Sequence, residues 1–166
     1  MRTQDFEQQF NRLYMPLGMY ALRILDDVDE AQDVVQEAFG AVWELISGGT
    51  DIAAFKSYMY RSVHNLALMR LRSRKAMVDV EEIGEITDEA IDTSERDARL
   101  WHAIDKLPER CRNIFLLSKR DGLTYAEIAD ELGISVKTVE NQMSKAFERL
   151  RGALGGSKSV FFLPFL

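Results

Sequence analysis

Asp121-Gly122-Leu123-Thr124-Tyr125-Ala126-Glu127-Ile128-Ala129-Asp130-Glu131-Leu132-Gly133-Ile134-Ser135-Val136-Lys137-Thr138-Val139-Glu140-Asn141 is the stretch that decides the fold. Thr124 and Glu127 have the spacing of a capping box, in which each side chain can satisfy the other's backbone amide at a helix start. Ile128, Ala129 and Leu132 give that short helix an inner side. Leu132-Gly133-Ile134 reads as a tight turn, with Gly133 where a positive φ is needed. Ser135 then caps a longer helix whose inner residues are Val139, Met143, Ala146, Phe147 and Leu150. Two helices joined by a short glycine turn match a helix-turn-helix. An ordinary helical hairpin with a solvated outer face fits the same spacing.

Working outward, the rest of the 166-residue chain also reads as helical. Phe6, Phe10, Leu13, Leu17, Tyr20, Ala21, Ile24 and Leu25 recur at steps of three and four, with Pro16 inside the pattern as a kink or a new start. Ala31, Val34, Val35, Ala38, Phe39, Val42, Leu45 and Ile46 form a second such face, which Ser47-Gly48-Gly49 ends. A third helix is expected from about Ala53 to Arg74, with Phe55, Met59, Val63, Leu66 and Met69 inward. A further one runs from Ala98 to Lys106, and Pro108 suits the first turn of the next. Trp43 and Trp101 read as core residues. No sustained alternation of period two occurs.

Charge divides the chain. The net charge is −6, but residues 77–97 alone hold nine acids and one base, so the remainder sums to +2. Just before that block, Arg70, Arg72, Arg74 and Lys75 put four bases in six positions. The acidic block reads as a flexible, solvated linker. A strand of negative charge mimicking nucleic acid in a basic channel is the sharper alternative. The expected architecture is all-α: two small helical domains, 1–76 and 95–152, joined by an acidic flexible linker at 77–94 and followed by a flexible, apolar tail at 153–166.

Composition and motifs exclude several classes. Hydrophobic residues at 46% and charged residues at 29% describe a soluble globular chain. Seven apolar residues at the end, Val160 to Leu166, are too few for a transmembrane helix. The N-terminus shows no apolar signal-peptide run, and the expected location is cytoplasmic. His64 and His102 lie in different domains, Cys111 is alone, and no phosphate loop or metal-ligand cluster is visible, so neither an enzyme nor a cofactor is expected.

On the second helix of the motif, the side away from the core carries Lys137, Thr138, Glu140, Asn141, Ser144, Lys145 and Glu148. Asparagine can pair bidentately with adenine, glutamate can accept from cytosine N4, and lysine suits phosphate or guanine. Ser135 marks a helix N-terminus with free amides for a phosphate.

These residues carry a family resemblance. Asp121 to Ala129 with Gly133 to Glu140 resembles the −35 reader of bacterial sigma factors. Asp33-Val34-Val35-Gln36-Glu37-Ala38-Phe39 resembles their core-polymerase-binding helix, and Tyr60-Arg61-Ser62-Val63-His64-Asn65-Leu66-Ala67 their −10 reader. Order, spacing and linker are similar to those of the compact extracytoplasmic-function group. Val136 to Asn141 with the short tail further resembles Bacteroidetes members, often controlled by membrane-bound anti-sigma factors.

The resemblance implies partners and roles. The partners are core RNA polymerase, promoter DNA and a membrane-bound anti-sigma factor. Asp33, Gln36, Glu37 and Phe39 would dock on the polymerase. Asn65, with the loop from Ser47 to Asp51, would hold a flipped −10 base. Tyr58 and Tyr60 would stack on single-stranded DNA, or serve as core. Arg61, Arg70, Arg72 and Arg74 would neutralise phosphates. Ser135, Lys137, Thr138, Glu140, Asn141, Ser144 and Lys145 would meet the −35 duplex; Glu140 stands where some members have arginine. A stand-alone DNA-binding regulator, with residues 1–76 as a sensor or dimer domain, and an interaction protein that only titrates polymerase or an anti-sigma factor are the alternatives.

Overall fold

A computed structural model of the chain describes residues 1–74 and 83–155. They form seven α-helices and no strand: α1 (Thr3–Leu25), α2 (Val28–Ser47), α3 (Phe55–Arg74), α4 (Asp88–Asp105), α5 (Glu109–Lys119), α6 (Tyr125–Leu132) and α7 (Val136–Ala153). The chain divides into two compact units, Met1–Ala98 and Arg99–Leu166.

In the first unit α1, α2 and α3 pack on one another. Leu13, Leu17, Val34, Val35, Phe39, Met59, Tyr60 and Val63 form their shared core. Each such side chain contributes about 1.5–3 kcal/mol by leaving water. Pro16 lies inside α1, which runs on through it. Asp26 ends α1 in the left-handed region at φ 51°, and the Asp27 side chain accepts from the Glu30 amide at 2.9 Å to start α2. The two-residue junction turns the chain sharply, so α1 and α2 pack as neighbours.

The flexible-linker expectation for 77–94 does not hold from Asp88 onward. Residues 75–82, and with them part of that linker, lie outside the described residues. Helix α4 begins at Asp88, ten residues before the expected Ala98. Ala90 and Ile91 of α4, and Ile83 and Ile86 just before it, pack against the first core. Ser94, fully buried, hydrogen-bonds the Tyr60 hydroxyl at 2.7 Å. Arg23 donates to Asp97 at 2.6 Å, and Lys56 pairs with Glu95. A few buried residues, with two of the acids paired to bases of the first unit, outweigh the high net charge of the segment. The division between the units falls inside α4, between Ala98 and Arg99.

The second unit buries Ile104, Leu107, Cys111, Ile114, Phe115, Ile128, Val139, Met143, Ala146 and Leu150. Both halves of the Thr124–Glu127 capping box are made, at 3.2 and 2.7 Å. Gly133 closes α6 at φ 63°, a conformation that costs a residue with a Cβ about 1–2 kcal/mol. Ser135 accepts from the Thr138 amide at 3.1 Å and opens α7. Trp101 is half-buried in this core, as expected. Trp43 in the first unit is not a core residue: it is 38% exposed and only edges the core through Phe6, ring centroids 4.8 Å apart. The part of the apolar tail at 156–166 lies outside the described residues.

Candidate nucleic-acid interface

Helix α2 places Asp33, Gln36, Glu37 and Glu44 on one exposed ridge, because steps of three, four and seven return to the same side. The Gln36 amide donates to the Tyr14 hydroxyl at 3.4 Å. Phe39 does not join this ridge. It is 3% exposed and meets the rings of Phe6, Phe10 and Tyr14. It therefore holds α2 in the core, and the expectation of a polymerase-contacting Phe39 is corrected: its step from Val35 continues the apolar stripe.

Helix α3 carries a second exposed ridge. Ser57, Arg61, Asn65, Met69 and Ser73 follow one another at four-residue steps and are all exposed; Arg72 is exposed beside them and Tyr58 is half-buried. Two sequence expectations fail here. Tyr60 is fully buried, its ring edge-on to Tyr20 at 5.3 Å, so it cannot stack on DNA. Met69, expected inward, is 61% exposed. Apolar residues occur on both sides of α3, so periodicity left its rotation open. Met69 was missed for that reason, although its four-residue step from Asn65 was a usable signal.

The basic residues of α3 separate into two sets. Arg61 and Arg72 share the Asn65 side and form no ion pair among the described residues. Arg70 and Arg74 turn toward α2. Arg70 donates to Glu37 at 3.0 Å. Arg74 pairs through Nε with Glu30 at 2.8 Å and donates to the Leu25 carbonyl at 3.1 Å, satisfying an orphan acceptor at the end of α1. Of the four arginines expected to neutralise phosphates, Arg70 and Arg74 are thus engaged with acids of α2, and a third to a half of a helical turn separates them from Arg61 and Arg72.

Helix α7 presents Lys137, Glu140, Asn141, Ser144 and Lys145 to solvent, with Thr138 half-buried. Its inner side is closed by Val139, Met143, Ala146 and Leu150. Lys137 lies 3.4 Å from the Glu140 carboxylate, so the acid moderates the lysine rather than standing alone. Ser135 is exposed at the cap, its hydroxyl 2.9 Å from that of Thr138. An exposed helix face with amides, a hydroxyl and two lysines has the donors and acceptors that a major groove can match.

Beneath the α3 ridge lies a buried polar pair. The Tyr20 hydroxyl is 2.8 Å from His64 Nδ1. Burial holds His64 below the usual histidine range and pushes Tyr20 up to about 12. Burial also raises Tyr60, against the opposing effect of its Ser94 hydrogen bond. Cys111 is buried and its thiol is pushed up, away from reactivity. Among the described residues no group of histidine, cysteine and acids is placed to hold a metal ion, and no helix is long and apolar enough to cross a membrane.

Each unit thus carries one helix with an exposed polar side, α3 in the first and α7 in the second, and the first unit adds the exposed acidic ridge of α2. Comparison with known proteins names the class. Residues 10–77 match sigma-70 region 2, and residues 97–150 match sigma-70 region 4. The chain belongs to the sigma-70 family, among the extracytoplasmic-function sigma factors of RNA polymerase. It is 29% identical over 148 residues to the extracytoplasmic-function sigma factor SigW of Bacillus subtilis strain 168, covering 80% of this chain and 79% of that one. It is 27% identical over 148 residues to the sigma factor SigV of the same strain, covering 89% and 85%. It is 29% identical over 150 residues to the ferric citrate uptake sigma factor FecI of Escherichia coli K12, covering 86% and 87%. The chain is thus a sigma factor that directs RNA polymerase to specific promoters; it is not an enzyme.

Proposed function

We propose that the two exposed readers divide promoter recognition between them. Residues 95–152 form the region that reads −35 duplex DNA, with Asn141 and Lys145 of α7 as principal base and phosphate contacts and Ser135, Lys137, Thr138, Glu140 and Ser144 around them. Residues 1–76 form the region that captures the melted −10 strand. Asn65 holds an extruded base, an amide being suited to a base's polar edge. Tyr58, Arg61 and Arg72 support that strand. Asp33, Gln36 and Glu37 on the α2 ridge dock on basic residues of core polymerase. Joining two modest contacts on one frame raises the effective concentration of the second.

The observation that carries this reading is the exposure of Asn65 and Asn141 on ridges whose opposite sides are buried. We further place the protein in the cytoplasm, under a membrane-bound anti-sigma factor, near Bacteroidetes members; the Val136–Asn141 resemblance supports that placement. Run-off transcription with purified core polymerase and genomic fragments tests the whole. Start sites sharing −35 and −10 elements are expected, with Asn141→Ala relaxing the first and Asn65→Ala the second. Core binding without any promoter-specific start would mean an autoinhibited protein or a titrating adaptor.

A further inference from the structure

Among the described residues, Met69 is the most exposed of the large apolar side chains that face solvent, at 61%. A single exposed apolar residue is ordinary on a protein surface. The neighbours of this one are not ordinary. On the α3 ridge it follows Asn65 by four residues and precedes Arg72 by three, with Arg61 one further turn back. The helix behind it is anchored by Val63, Ala67 and Leu71, all buried, so the ridge is rigid and Met69 cannot turn inward.

We infer that Met69 is the apolar seat for one unstacked nucleobase of the melted strand, next to the base held by Asn65. The inference rests on the proposed −10 role of α3. Four residues of helix advance about 6 Å along the axis. Bases stacked in one strand are only about 3.4 Å apart. The Asn65–Met69 spacing therefore suits two bases splayed apart rather than stacked. Thioether sulfur is polarizable and packs well on aromatic faces, and the unbranched side chain adapts to any base. Arg61 and Arg72 bracket the pair of sites with cations that no carboxylate among the described residues neutralises, which is the charge that a phosphate backbone requires. Apolar contact and flanking positive charge together favour nucleic acid over an apolar protein surface.

The test uses the full chain assembled with core polymerase on a promoter carrying one abasic site at a time across the −10 element. Open-complex formation is followed by the fluorescence of 2-aminopurine placed in the melted region. Met69→Ala is expected to lower open-complex formation about fivefold on the intact promoter, with Met69→Leu restoring most of it. At one abasic position the native protein should lose a similar factor and Met69→Ala nothing further. The melting temperature of free Met69→Ala should be unchanged, since the side chain is not in the core. The inference is overturned if Met69→Ala has no effect or if its loss is the same at every abasic position. It is also overturned if the variant loses affinity for core polymerase in the absence of DNA, which would make Met69 a protein contact. Asn65→Ala separates the two levels. If it impairs opening while Met69→Ala does not, only the Met69 seat fails; if neither impairs opening, the −10 role of α3 fails and the seat with it.

Discussion

Arg70 of α3 donates to Glu37 of α2 at 3.0 Å, joining the acidic ridge to the back of the proposed −10 reader. Both side chains are partly solvated, so the pair stabilises the unit by less than about 1 kcal/mol. Glu37→Gln is therefore expected to leave the denaturation midpoint almost unmoved while weakening binding to core polymerase. Arg70→Gln should behave alike in stability. Equilibrium denaturation together with titration of core polymerase checks both. A large shared loss of stability would make the pair a structural brace.

Tyr60 and Ser94 lie fully buried with their hydroxyls 2.7 Å apart, and Ser94 also bonds the Ile91 carbonyl. Tyr60→Phe removes one bond but leaves Ser94 a partner, so the expected cost is about 1 kcal/mol. Tyr60→Ala empties a ring-sized volume and should cost about 3–5 kcal/mol. Urea denaturation followed at Trp43, which is in the same unit, would report both.

His64 makes stability depend on pH. Its folded value is below the unfolded 6.5 because burial disfavours the charged ring. The unfolded chain thus takes up the proton first. Stability should be full above about pH 6.5 and fall as pH drops through 6.5 toward the lowered folded value. His64→Gln should flatten that slope. At the alkaline end Tyr20, pushed up to about 12, ionises first in the unfolded chain. Stability should fall as pH rises from 10 through about 12. Denaturation midpoints across pH, native against His64→Gln, decide the acid arm.

Thr124 and Glu127 satisfy each other's backbone amides at the start of α6, and the Thr124 hydrogen bonds hold the Glu127 carboxyl below its usual range. Thr124→Ala should destabilise the second unit by about 1 kcal/mol. Thermal melts would register it.

Asn141 is exposed and Lys145 stands beside it on α7. Asn141→Ala should leave the fold intact and reduce discrimination at one −35 position by about tenfold, the scale of one bidentate base contact. Transcription from a panel of single-base −35 variants would identify that position. Equal loss at every position would make Asn141 a backbone contact.

The helix-turn-helix was legible in the residues themselves. Thr124, Glu127, Gly133 and Ser135 act over three or four residues, so their partners are close in sequence and their chemistry is local. The stripes of α1, α2 and α7 were legible for a related reason: each has one apolar side and one polar side. Helix α3 has no such contrast. Its apolar residues occupy more than half of the circumference, and only packing against α1 and α2 decided that Tyr60 turns inward and Met69 outward. Packing likewise paired Arg70 and Arg74 with Glu37 and Glu30, acids more than thirty residues away. The start of α4 was decided the same way. Its acids alone predict solvated coil, and the helix is held there because Ala90, Ile91 and Ser94 pack against the first core, with Ile83 and Ile86 packed on it just before the helix begins. Caps and turns are settled within a few residues, whereas burial and ion pairing wait for neighbours that the chain supplies only after it has folded.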